Sequence, residues 1–158
     1  MLNLDHGYVG DPSRFEWTQG AVAAVRAVND AGLLAFVVTN QSGVARGLYG
    51  EAEVEALHAW MRAELGRAGA RLDDVRYCPH HPEGTVAAYA RACRDRKPGP
   101  GMIEDLARRW PVDLPASLIV GDNPSDLEAG RAAGVGAGLL FEGGDLLAAL
   151  QPWLRTSR

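Results

Sequence analysis

Apolar positions along this chain follow two alternating patterns. Residues 33–38 form a short, unbroken apolar run that ends on valines, the pattern of a strand buried on both faces in a parallel sheet. A second such run covers 118–120 before Gly121, a third covers 136–141, and a weaker fourth covers 75–77. Between the runs, apolar residues recur at helical spacing. Residues 18–30 carry Val22, Val25 and Val28 and stop at Gly32, while 51–67 carry Val54, Leu57, Trp60, Met61 and Leu65 in one stripe. Helices are also predicted over 101–110, 125–133 and 145–154. Strands alternating with helices predict an α/β domain with right-handed crossovers.

Residues 78–100 fit neither period. They hold Pro79, Pro82, Pro98 and Pro100, both cysteines (Cys78 and Cys93), and His80 and His81. A loop of this length inside a compact domain usually carries a function or an internal staple. The length of 158 residues suits one domain, and a net charge of −4 argues against a nucleic-acid or anionic-membrane surface. No apolar run approaches a membrane span and no signal-peptide pattern appears, so the chain reads as cytoplasmic. In that reducing compartment, metal binding is a better reading of two cysteines than a disulfide.

Ligands of open α/β sheets bind beyond the carboxyl ends of the strands, and three segments carry chemistry there. Thr39-Asn40-Gln41-Ser42-Gly43 ends the first apolar run; its hydroxyls, amides and free N–H groups suit phosphate oxygens, or it is a capped turn. Asp122 and Asp126 follow the run 118–120. Two carboxylates there suit a hard cation such as Mg²⁺, or they are helix caps. Lys97, between Arg96 and Pro98, is either a solvated lysine or a cation that offsets phosphoryl charge.

In order and spacing the three segments resemble motifs of the haloacid dehalogenase-like phosphohydrolases. The wording of Asp5-His6-Gly7-Tyr8-Val9, of 39–47, of Tyr77-Cys78-Pro79-His80-His81-Pro82 and of Arg96-Lys97-Pro98 is similar to one subgroup. That subgroup is the heptose bisphosphate phosphatases, with the histidinol phosphatases beside them. The resemblance implies a three-layer, Rossmann-like parallel sheet with helices on both faces. It also implies a Mg²⁺-dependent phosphomonoester hydrolase for a small sugar phosphate of nucleotide-heptose synthesis. By resemblance Thr39 bonds the phosphoryl group, Lys97 offsets its charge, and Asp122 ligates Mg²⁺ with Asp126 in support. Asp5, His6, Gly7, Tyr8, Asn40, Gln41 and Ser42 line the substrate pocket, and Arg96 reads a distal phosphate. A monomer is expected, with a small phosphorylated metabolite as its partner.

Two departures qualify these expectations. The family's nucleophile and acid/base stand as Asp-x-Asp on a central first strand, just ahead of the segment matched by residues 2–7. Neither is present here, and a valine start codon read as Met1 would account for it. The expectation is therefore two flanking strands with unpaired backbone, an apolar slot, and a chain of low stability and activity. The alternative in another class is an inactive phosphate- or metal-binding relative. The second departure concerns structural zinc, which the subgroup holds through Cys-x-His and Cys-x-Cys. Cys78, His80 and Cys93 match, but Asp95 takes the fourth position; a carboxylate is a permissible ligand and a weaker one here. His81 is expected to face solvent or substrate, and His58 to lie on a helix surface.

Overall fold

Two parallel strand pairs, not one continuous sheet, form the middle layer of this computed structural model, which describes residues 1–156. Strand β1 (Phe36–Asn40) pairs with β2 (Asp74–Cys78), residue 36 opposite 74 through 40 opposite 78. Strand β3 (Leu118–Gly121) pairs with β4 (Ala137–Leu140) in the same sense. The helices are α1 (Ala21–Asp30), the single turn α2 (Ser42–Ala45), α3 (Glu51–Arg67), α4 (Gly101–Arg109), α5 (Pro124–Ala133) and α6 (Leu146–Thr156). Residues 79–100 hold neither helix nor strand, as their sequence leads one to expect. Among the described residues no helix is long and apolar enough to cross a membrane.

Alternation along each strand assigns the helices to two outer layers. On one face, Leu118, Val120 and Leu139 pack with α1 and α6 around Ala21, Ala24, Leu146 and Leu150. On that same face, Val37 and Val75 pack with Val25 of α1 and with Met61 and Leu65 of α3. On the opposite face, Ile119 lies against Gly130 of α5, and Phe36 meets Trp110, just past α4, edge to face at 5.6 Å. Helix α1 contributes to both cores, so it ties the two strand pairs together. The expected three-layer arrangement is therefore present.

Individual elements shift within it. The first strand runs 36–40 instead of 33–38; Leu33 and Leu34 form the approach and are only half-buried. The stripe on α3 is buried at Val54, Leu57, Met61 and Leu65. Helix α1 instead buries Ala21, Ala24 and Val25, leaving Val22 and Val28 half-covered.

The apolar runs were expected to be buried on both faces, yet every residue of β1 and the first three of β3 are only half-buried. The reason is a cleft of about 620 Å³ between the two strands, lined by Val37 and Val38 on one side and Leu118 and Val120 on the other. This is the slot expected from the sequence. His58 also departs from expectation: it is half-buried against the Tyr77 ring, 5.7 Å between centroids. Burial, helped by Arg62, pulls its pKa down from 6.5 to about 4.

Two outcomes follow from this packing. A β-carbon at Gly130 would sit 2.6 Å from Ile119 Cγ2, so Gly130→Ala should lose about 1–3 kcal/mol to overpacking. The same change at exposed Gly66 of α3 meets nothing within 4 Å and should gain up to ~1 kcal/mol of helix propensity; urea unfolding midpoints compare the two. His58 stays neutral in the folded chain, so its contribution is full above pH 6.5 and is lost as pH falls towards 4. The urea midpoint should drop over that window, and drop less in His58→Phe.

Candidate active site

Strand β1 ends on Thr39 and Asn40, and Asn40 makes a two-point clamp. Its Nδ2 donates to the Lys97 carbonyl at 3.1 Å, and the Lys97 N–H donates to its Oδ1 at 3.0 Å. Both halves of the amide are thus engaged on the Lys97 backbone, so Asn40 positions Lys97; the sequence reading had placed it among the pocket-lining residues. The Lys97-Pro98 peptide is cis.

Clamped in this way, the Lys97 side chain reaches back to the strand ends with 13% of its surface exposed. Its ammonium donates to the Val38 carbonyl at 2.9 Å and pairs with Asp126 Oδ1. Asp126 is itself buried, and its Oδ2 accepts the Asn123 N–H at 3.1 Å. That bond belongs to the α5 cap, where Asn123 Oδ1 accepts the Ser125 N–H and Pro124 opens the helix. Gly121 leaves room for this carboxylate, since a β-carbon there would collide with it. Asp122, exposed at the end of β3, has the α-amino group of Met1 at 3.0 Å.

The structure thus brings Thr39, Gln41, Lys97, Asp122 and Asp126 to one mouth of the cleft. Fit to a divalent cation is uneven across the two acids. Asp122 offers an accessible carboxylate, whereas both oxygens of Asp126 are already engaged, by Lys97 and by the helix cap. Ser42 and Arg96 lie beside this mouth, with the guanidinium donating to Ser42 Oγ at 2.6 Å. Gln41 accepts from the Tyr49 hydroxyl at 2.8 Å, and the Tyr49 ring fills the space that side chains at Gly10 and Gly43 would need.

Asp5, His6, Gly7 and Tyr8 do not join the mouth. They form an exposed loop in which Asp5 caps the Gly7 N–H and His6 pairs with Glu16. Arg14 holds that loop through the Tyr8 and His6 carbonyls, and the Arg46 guanidinium lies 5.8 Å from the Tyr8 ring centroid. A loop made of short-range turns stays outside because nothing apolar pulls it into the cleft.

A second centre lies in the long loop. The donor atoms of Cys78, His80 and Cys93 all fall within 4.8 Å of one another, a set suited to zinc. Burial, with Cys93 nearby, pushes the Cys78 thiol up to about 11; burial and then Arg91 pull His80 down. Asp95 is not in this donor trio: a β-carbon at Gly101 would meet its Oδ1, so its carboxylate lies by the start of α4, near enough for its charge to act on Cys78 and His80. His81 accepts the Glu83 N–H through Nδ1 and has Arg96 and Arg46 as charged neighbours.

Glu51 escaped the sequence reading. It accepts from the Tyr77 and Tyr89 hydroxyls, both at 2.9 Å, tying α3 to β2 and to the loop, and Tyr89 lies against the His80 ring. Only its place at the first position of α3 was visible beforehand.

A family model described as HAD-hydrolase-like matches residues 95–151. The chain is 55% identical over 146 residues to a D-glycero-β-D-manno-heptose-1,7-bisphosphate 7-phosphatase of Rhodopseudomonas palustris, covering 92% of this chain and 81% of that one. It is 42% identical over 143 residues to the enzyme of the same name from Escherichia coli K12, covering 90% and 75%. Among solved structures, D,D-heptose 1,7-bisphosphate phosphatase of B. bronchiseptica, complexed with magnesium and phosphate, superposes with a TM-score of 0.81 at 35% identity. That match covers 96% of this chain and 81% of that one. On these identities and this superposition, the chain belongs to the heptose bisphosphate phosphatases of the HAD-like hydrolases.

Proposed function

We propose that this chain acts as a phosphomonoester hydrolase that removes the 7-phosphate of a heptose 1,7-bisphosphate. The observation that carries the reading is the convergence of Thr39, Lys97, Asp122 and Asp126 on one mouth, with Lys97 locked by Asn40. Thr39 donates its hydroxyl to a phosphoryl oxygen. Lys97 offsets the charge that the phosphoryl group develops, and is pre-set for this by Asp126, so it needs no reorganisation. Asp122, with water, would hold Mg²⁺, which would supply shielding of the same charge, and Asp126 supports the site indirectly by fixing Lys97. Gln41 and Ser42 contact the sugar beside the mouth, and Arg96, already on Ser42, reads the second phosphate with its forked guanidinium. The protein works as a cytoplasmic monomer of one domain. The attacking carboxylate of such a reaction is not among the described residues.

Zinc in the long loop supports this site from outside. Cys78, His80 and Cys93 supply three ligands, and Asp95 turns from α4 to supply the fourth. Held there, zinc would brace the turn that carries the His80 carbonyl, which Arg96 reaches at 3.4 Å.

Inorganic phosphate binding in Mg²⁺, followed by calorimetry, should weaken at least tenfold in Lys97→Ala, because one buried cation is lost. Thr39→Val should weaken it less. Assayed on the chain extended by its upstream reading frame, released phosphate should appear from heptose 1,7-bisphosphate and not from histidinol phosphate; binding without turnover of either would favour the non-catalytic alternative. Metal analysis of the purified chain should find about one zinc per chain, lost in Cys93→Ser and reduced in Asp95→Ala, whose ligand is the weakest of the four. A parent protein without zinc would end that assignment.

A further inference from the structure

We propose that Cys78 and Cys93 form a peroxide-responsive modification site, in which Cys93 is oxidised first and Cys78 resolves it as an intramolecular disulfide. The thiol pair rests on geometry alone; the displacement of zinc by that disulfide rests on the zinc reading above.

Three observations select this pair. The two sulfurs lie within 4.8 Å of each other, although most of the long loop separates them in sequence. They are the only two cysteines of the chain, so each has one possible partner within it. Their exposure differs: Cys78 is fully buried at the end of β2, whereas Cys93 is half-exposed in the loop. A dissolved oxidant therefore meets Cys93 and not Cys78. Residues 79–100 hold neither helix nor strand, so Cys93 moves to bonding distance without breaking a ladder, while pairing with Asn40 of β1 holds Cys78 still. Asp95 stands where the subgroup places a third thiol, and one disulfide consumes every thiol of the loop.

The oxidant is a peroxide, and the chemistry balances in two steps. The Cys93 thiolate attacks one peroxide oxygen, the O–O bond breaks and hydroxide leaves, which turns the sulfur into a sulfenic acid. The Cys78 sulfur then attacks the Cys93 sulfur, the S–O bond breaks, and the departing hydroxide takes up the Cys78 thiol proton as water. The first hydroxide reclaims the proton that Cys93 gave up, so two thiols are oxidised while one peroxide is reduced to two waters. Where zinc is bound, both sulfurs are engaged and the first attack is slowed. The disulfide removes two of its ligands and leaves His80 and Asp95, too few to hold it. The Cys78 carbonyl accepts the Gln41 N–H at 2.8 Å, and the Cys93 carbonyl accepts the Arg96 N–H at 3.1 Å. Each half of the new bond therefore sits one hydrogen bond from a residue at or beside the phosphate mouth. The loop that carries Arg96 and Lys97 has a staple in both states: metal in the reduced chain, S–S in the oxidised one. In a reducing compartment, thiol exchange reverses the oxidation.

In the test, the full chain is stripped of metal with a chelator, freed of reductant and treated with hydrogen peroxide. Mass spectrometry of its peptides should show Cys78 joined to Cys93 within one chain, with both thiols lost together and recovered by dithiothreitol. Before oxidation, iodoacetamide should label Cys93 about tenfold faster than Cys78, which checks the order of reaction without any substitution. Cys78→Ser should stop at a sulfenic acid on Cys93 that dimedone traps. Trypsin should cut after exposed Arg91 about threefold more slowly in the oxidised chain than in the stripped, reduced one. Survival of both thiols, disulfides only between chains, or equal labelling of the two cysteines would overturn the site, and equal cutting would overturn the staple. Reloaded with zinc before the peroxide, the chain should release one zinc ion per disulfide to a colorimetric chelator. Zinc retained by the disulfide form would overturn the displacement. A chain that takes up no zinc would overturn it together with the zinc reading, while the disulfide is still read from the stripped chain.

Discussion

A lysine ammonium largely withdrawn from water has to be met by charge and by hydrogen-bond acceptors, and Lys97 organises the site through that requirement. Asp126 supplies the charge and the Val38 carbonyl supplies an acceptor. Each of these then constrains its own surroundings. Asp126 can reach Lys97 only because Gly121 has no side chain and because the α5 cap fixes its second oxygen. Lys97 can reach Asp126 only because Asn40 pins its backbone to the end of β1. Truncating either charge would leave the other buried without its partner, at a cost of about 3–5 kcal/mol. The pair therefore holds the ends of β1 and β3 together across a gap that no strand among the described residues spans.

That gap sets the energetics of the fold. With no ladder between β1 and β3, the halves are joined by α1, whose Ala21 and Ala24 belong to one core and Val25 to the other, by α4, which packs on both β2 and α5, and by the Lys97–Asp126 pair at one end. Small residues at 21 and 24 let α1 lie close over the junction. The half-burial of Val37, Val38, Leu118 and Val120 is apolar surface still open to water. At about 25 cal/mol per Å², completing that burial would add stability that the strand pairs now forgo.

Much of this was legible in the sequence, and the rest was not for identifiable reasons. Helix α3 was legible to the residue because its stripe has helical period and its ends carry ordinary signals. Strand β1 was displaced by three residues at its start and two at its end, since Leu33 and Leu34 are as apolar as the strand and periodicity cannot separate an approach from a ladder. Thr39, Lys97, Asp122 and Asp126 were legible because a strand end and a fixed order of residue types identify them. Asn40 was named but assigned to substrate, because its two bonds to Lys97 span 57 positions that local pattern cannot bridge. Asp95 stood at a ligand position by spacing, while its carboxylate lies against Gly101 at the start of α4, a packing that spacing does not encode.

Glu51 shows how the two centres of this molecule share a support. Its carboxylate receives two phenols; burial and then Glu51 raise Tyr77, and Glu51 raises Tyr89, above the ordinary tyrosine pKa, which keeps both neutral donors. Tyr77 lies on β2, whose last residue is Cys78, and Tyr89 rests against His80. From His80 the chain of contacts passes through its carbonyl to Arg96, next to Lys97 in sequence. The Cys78–His80–Cys93 trio and Lys97 are thus linked through a few rigid pieces: the start of α3, the end of β2 and the Arg96-Lys97 peptide. A loop without regular structure can hold Lys97 in place only if it is fixed at both ends, and here Glu51 fixes it at one end and Asn40 at the other.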